Sequence, residues 1–278
     1  MAILLGLGSA VFFALSSAME QHAAKQERPT RTLDPRLLVR LLRRPLWLFG
    51  WVPDAIGTVL QAIALRFGAL ALVEPLLLSG VFMAIPLEAA LERRRPHRKD
   101  LVVVAIGVIG LTAFLTAGRP SHGVAVPSTS AWLGVAAGVG LVFAACLVAA
   151  WRLQDARRGI MLGLATGLLY AVAAALLKVV TTELSSEGLR GIFGNWHLYA
   201  LLVVGAGALT LNQNAYQGGP IAAPLTTIAL VDPVTSVVIG VTAFHEQLAT
   251  DGPRLLIQVV SALVMVVVLA LASTTRSQ

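Results

Sequence analysis

Four stretches of this chain run for nearly the thickness of a bilayer without one charged side chain: Ala2–Met19, Leu101–Gly118, Trp132–Ala150 and Leu255–Ala272. A helix needs ~20 apolar residues to cross ~30 Å of hydrocarbon. In lipid each backbone N–H and C=O must also be satisfied internally, which leaves helices or closed barrels. Continuous apolar runs of this length select helices. The wider composition agrees, with 57% hydrophobic and 13% charged residues against about 25% charged in soluble domains. The 278 residues suit one integral membrane domain and leave no room for a separate soluble one. Cys146 is the single cysteine and lies in an apolar run, so it reads as a packing residue without a disulfide partner in the chain.

The net charge of +7 could point to nucleic acid, but the basic residues fall between the apolar runs, as topology signals do. The N-terminus lacks the basic segment of a secretory signal, and Ala2–Met19 is long enough to span, so it reads as a retained first helix. The sequence predicts an all-α membrane protein with about nine spans, near 2–20, 46–66, 70–91, 101–118, 131–151, 160–181, 196–217, 221–246 and 254–273. The connections alternate in charge, with 16 Lys and Arg on one side against 4 on the other and Lys178 inside a span. By the positive-inside rule the N-terminus lies outside and the C-terminus in the cytoplasm of a multi-pass plasma-membrane protein, which requires an odd number of spans. Within the first cytoplasmic connection, Asp34-Pro35 starts an amphipathic helix over about 34–44, basic on one face and leucine-rich on the other. It is expected to anchor at the anionic leaflet.

The chain repeats itself. Val73-Glu74-Pro75 is followed by Glu88 thirteen residues after its proline, and Val231-Asp232-Pro233 by Glu246 at the same spacing. Phe13-Ala14-Leu15 matches Tyr170-Ala171-Val172, with Gln21 opposite Lys178. Gln61 and Ala64 before Gly68 match Asn212 and Ala215 before Gly219. Spans one to four therefore correspond to six to nine, and a displacement of five spans makes the repeat inverted, with the fifth span as connector. The divisions are 1–118 for the first four-helix repeat, 119–159 for the connector and 160–278 for the second repeat. Inverted repeats recur in secondary transporters, whose sites lie near the midplane where the halves meet.

Leu169-Tyr170-Ala171 with Lys178, Gln213-Asn214-Ala215-Tyr216-Gln217-Gly218-Gly219-Pro220, Val231-Asp232-Pro233 and Phe244-His245-Glu246 together resemble the drug/metabolite transporter superfamily. That superfamily carries inverted EamA-type repeats. Within it the pattern is most similar to the magnesium transporter-like proteins of the NIPA type, which usually have nine spans. Two positions depart from the pattern: Glu74 stands where glutamine is expected, and His245 where glycine is common. Both weaken a transfer of magnesium specificity.

Asp232 is the leading candidate site residue. Counted from Pro220 it lies ~18 Å along its helix, near the midplane. It reads as a proton-coupling or cation-contacting acid, or as a structural partner of the proline-broken backbone. Glu74 would face an outward vestibule or sit at the interface beside Arg66. Glu88 and Glu246 fall near helix ends and read as interfacial or packing residues. Gln213, Asn214 and Gln217 would bind solute or join helices. Asp54 could pair with these groups or with a substrate, and Tyr170 and Tyr216 could wall a cavity or serve as ordinary aromatic packing. Lys178 is expected to snorkel to the outer interface, and His22 and His197 to be interfacial.

There is no phosphate-binding loop, zinc motif or paired nucleophile and base, so neither an enzyme nor a bound cofactor is expected. The leading expectation is a secondary carrier working by alternating access. Asp232, Glu74, Asp54 and the Gln213–Gln217 segment would couple proton or cation movement to a small solute. One alternative keeps the fold and makes magnesium the cargo, held by Asp232 and Glu74 with part of its water shell. Another is a non-transporting membrane scaffold or enzyme subunit. The expected partners are the lipid bilayer, a small-molecule solute or divalent cation, and no nucleic acid, with a homodimer left open.

Overall fold

The computed structural model describes residues 1–25, 45–91, 98–215 and 222–275. The amphipathic segment expected at 34–44, Tyr216 and Gln217 lie outside the described residues, as do the side chains of His22, Glu88 and Gln213. The described chain forms ten helices: α1 (Ala2–Lys25), α2 (Pro45–Phe67), α3 (Leu70–Leu77), α4 (Ser79–Leu91), α5 (Arg98–Gly118), α6 (Thr129–Arg152), α7 (Asp155–Gly194), α8 (Trp196–Ala215), α9 (Ala222–Thr242) and α10 (Gly252–Thr275). The one β feature among the described residues is an isolated bridge between Ser121 and Gln247. Six helices are long and apolar enough to cross a membrane: α1, α5, α6, α7, α9 and α10. Shorter apolar helices occupy Leu70–Ala84 and Trp196–Asn212. These are the dimensions of an integral membrane protein, and large apolar side chains such as Leu133, Leu141, Val203 and Leu256 stand exposed on the helix surfaces.

Three of the expected spans have a different form, and the sixth, expected at 160–181, runs on as α7 to Gly194. The stretch 70–91 is divided at Leu78. Pro75 has no N–H for the Ala71 carbonyl, and the Leu78 N–H turns back onto the Pro75 oxygen at 3.1 Å, a tighter closure than an α-turn. Pro233, in the matching motif, stays inside a continuous α9. That helix stops at Thr242 rather than 246. Beyond it, the Phe244 N–H returns to Ile239 at 3.3 Å and the Glu246 N–H to Gly240 at 2.9 Å. His245 sits between them with φ 55°, in the left-handed region.

Helices cross where side chains are smallest. A Cβ on Gly80 of α4 would meet the Ala10 carbonyl of α1 at 2.8 Å, and one on Gly167 of α7 would meet Val231 of α9 at 2.8 Å. Around these crossings α1 packs on α2 and α4, α7 on α8 and α9, and α5 on α10. One buried cluster joins α2, α3, α6, α7 and α9 through Leu65, Leu70, Trp132, Leu176 and Ile239, with Phe244 beyond the end of α9. A second joins α4, α5 and α10 through Phe82, Leu111 and Leu269.

One end of the bundle is knit by its loops. The His122 Nε2 lies 2.8 Å from the Phe67 carbonyl. The Val124 N–H donates to Phe244 at 2.7 Å, Ser121 to Gln247 at 3.0 Å, and Ala249 to Gly118 at 2.8 Å. The α2–α3 turn, the α5–α6 loop and the α9–α10 loop thus share one bonded cap.

Candidate functional site

Asp232 is the eleventh of the twenty-one residues of α9, at the middle of the helix. Its carboxylate is half-buried and accepts from the Ser236 hydroxyl, one turn on, at 3.4 Å. Proline follows it at Pro233, so the backbone here lacks one of its own donors. Glu74 reaches the same region from the other half of the chain. α3 packs against α9, Glu74 is 3% exposed, and it lies within electrostatic range of Asp232. The Gln61 amide of α2 donates to Glu74 Oε1 at 2.9 Å. Two carboxylates, one amide and one hydroxyl from three helices therefore lie in one region, with Glu74 buried and Asp232 half-buried. Glu74 takes Gln61 as its partner, while Arg66, on the exposed side of α2, lies over the Phe67 ring at 5.4 Å.

The remaining expected residues do not share this arrangement equally. Asp54 is on an exposed side of α2, where its backbone carbonyl accepts from Thr58 at 3.0 Å. Asn214 donates to the Thr210 carbonyl of its own helix at 2.8 Å. Asn212, one residue before Gln213, has a buried Oδ1 with no hydrogen-bond partner among the described residues. Tyr170 is half-buried on α7. No group of three or more His, Cys, Asp and Glu that could hold a metal occurs among the described residues.

Lys178 corrects the sequence expectation. It is 6% exposed and donates to Glu246 Oε1 at 2.5 Å. Snorkelling would need a nearby helix end, but α7 continues unbroken to Gly188, where φ is 68° and ψ −155°. His197 is likewise buried rather than interfacial, with Nδ1 2.8 Å from Glu183. Trp132 packs on Trp196, His197 and Phe244 at ring separations of 5.6, 5.9 and 6.5 Å.

A relative in Corynebacterium glutamicum, an uncharacterised protein, is 24% identical over 277 residues, spanning 99% of this chain and 96% of its own length. No family model matches the chain, and no solved structure matches it.

Glu246 has more partners than a position near a helix end implies. It is 2% exposed, its Oε1 also accepts the Leu70 N–H at 2.6 Å, and its Oε2 accepts the Ala71 N–H at 2.8 Å. A carboxylate on the first free N–H groups of a helix stabilises that end through hydrogen bonds and the helix dipole. Ser236 and Lys178 each left a sequence signal: a hydroxyl one turn from an intramembrane acid, and a cation deep in an apolar run. Gln61 left one only as a member of the repeated turn in which an amide and an alanine precede a glycine.

Proposed function

We propose that the protein is a secondary carrier of the drug/metabolite transporter type, moving a small solute by alternating access and coupled to a proton or cation at Asp232 and Glu74. The observation that carries this reading is the placement of two acids from opposite halves of the chain, each within a Val-acid-Pro motif, on two helices that pack together and within electrostatic range of each other. Two carboxylates in a low-dielectric site repel when both are ionised, so a proton or cation between them is strongly stabilised. A purely structural acid needs neither a second acid nor a place at the junction of the halves.

The packing supports nine spans in two inverted repeats. The first span lies on the second and third as the sixth lies on the seventh and eighth, and the fourth pairs with the ninth. Ala64 and Ala215, matched in the repeat, are both fully buried. On this reading the knit end faces outward, in a plasma membrane with the C-terminus in the cytoplasm.

The same two carboxylates favour a second reading, magnesium as cargo. Magnesium bound by two acids would keep several waters, as it commonly does in proteins.

Flux into proteoliposomes under an imposed proton or magnesium gradient tests both. Asp232→Asn and Glu74→Gln are expected to abolish gradient-driven flux while the folded protein is retained. Unchanged flux in both variants removes the pair from the mechanism. No flux by the parent protein across a broad solute panel supports a non-transporting scaffold instead.

A further inference from the structure

We propose that Lys178 and Glu246 form a latch that closes the knit end of the protein over the Glu74–Asp232 pair, and that its release opens that end. The latch rests on the carrier reading for its purpose, but its geometry stands separately. Glu246 gathers three segments at one buried point: the α9–α10 loop that carries it, Lys178 of α7 at 2.5 Å, and the first two N–H groups of α3 at 2.6 and 2.8 Å. The Lys178 ammonium also lies over the Phe244 ring at 4.7 Å. Around this point Leu65, Leu70, Val73, Val179 and Phe244 are all fully buried, so the end is sealed. Glu74 is one turn beyond Leu70 on the helix that Glu246 holds.

An ion pair suits a closure that must reopen. The attraction between buried charges is nearly cancelled by the cost of drying them, so the pair can exchange for two hydrated charges at small net cost. An apolar plug of the same shape has no such hydrated alternative. Release of Glu246 would free the start of α3, and with it the placement of Glu74 against Asp232. Opening of the end and rearrangement of the acid pair then become one event.

The test uses Val73→Cys as a reporter in a Cys146→Ala background. Sealed vesicles of either orientation are treated with a membrane-impermeant methanethiosulfonate. Protection is expected with Lys178 present. Lys178→Met is expected to speed labelling on the order of tenfold, a usual size for coupled conformational equilibria, and only from the knit side. Lys178→Arg, which keeps the charge, is expected to restore protection. Equal rates with Lys178 present and after Lys178→Met, or acceleration from both sides alike, would overturn the latch. Should Lys178→Met fail to accumulate as folded protein, Phe244→Leu removes the ring beneath the ammonium and leaves the pair. It must then accelerate labelling from the same side by a smaller factor, and no change overturns the proposal. Labelling needs no cargo, so a parent protein without flux sinks the carrier reading and leaves this result standing.

Discussion

Gln61 donates its side-chain amide to Glu74 at 2.9 Å, tying α2 to α3 beside the acid pair. Gln61→Leu keeps the approximate volume and removes the donor. A buried acceptor left unmatched costs about 1–3 kcal/mol, so the variant is expected to unfold at lower temperature in detergent. Asp232 is not touched directly by this change. An unaltered unfolding midpoint would show that Glu74 does not depend on Gln61.

Removing one partner of a buried ion pair costs about 3–5 kcal/mol, because the other charge is stranded. Glu246→Ala strands Lys178 and also uncaps α3, so it is expected to be the most destabilised variant of the pair. Lys178→Met leaves Glu246 on its two N–H donors and should cost less. The double variant should be more stable than Glu246→Ala alone, since no unpaired ammonium remains. Additive losses in a double-mutant cycle would contradict the buried pairing.

His245 carries φ 55°, a conformation in which glycine is unstrained and branched side chains clash. His245→Gly is expected to hold or raise stability, and His245→Val to lower it by about 1–2 kcal/mol. Thermal unfolding of the two variants side by side reads the difference. Stability equal to the parent's in the His245→Val variant would argue against the left-handed turn.

The glycines divide by surroundings. A methyl on Gly80 would press on the Ala10 backbone at 2.8 Å, whereas one on Gly138 would meet nothing within 4 Å. Gly80→Ala should therefore cost about 1–3 kcal/mol by overpacking. Gly138→Ala should be neutral or gain up to about 1 kcal/mol of helix propensity. The reverse order would show that α1 and α4 do not cross at Gly80.

Orientation can be read directly. In a Cys146→Ala background, Ser121→Cys at the knit end is expected to react with an impermeant thiol reagent added outside intact cells. Thr274→Cys should react only after lysis. Both residues reacting from the same side would rule out the nine-span topology.

Much of this is legible in the apolar runs, because a helix in lipid leaves a local record of length and charge. The midpoint location of Asp232 follows from counting residues along its helix. Lys178 misleads because the polar stretch Thr181–Glu187 reads as the end of a span. In the structure the Thr182, Ser185 and Ser186 hydroxyls fold back onto backbone carbonyls at 2.8–3.0 Å, and α7 runs on through them. The two prolines pose a different problem. Matching Val-acid-Pro motifs surround Pro75 and Pro233, yet only the first is followed by a break, at Leu78, so the motif alone does not decide whether the freed carbonyl distorts the helix. Glu246 is out of reach of any local pattern, since its hydrogen-bond partner Leu70 lies 176 residues away.

That separation has a consequence in time. α3 leaves the ribosome long before its cap exists. At 5–20 residues per second, the wait for residue 246 is roughly ten to thirty-five seconds. During that interval the Leu70 and Ala71 N–H groups are without the Glu246 carboxylate. The first half of the chain therefore reaches its final form only when the second is nearly made. The cap that Glu246 places on α3 is therefore among the last contacts the chain can make.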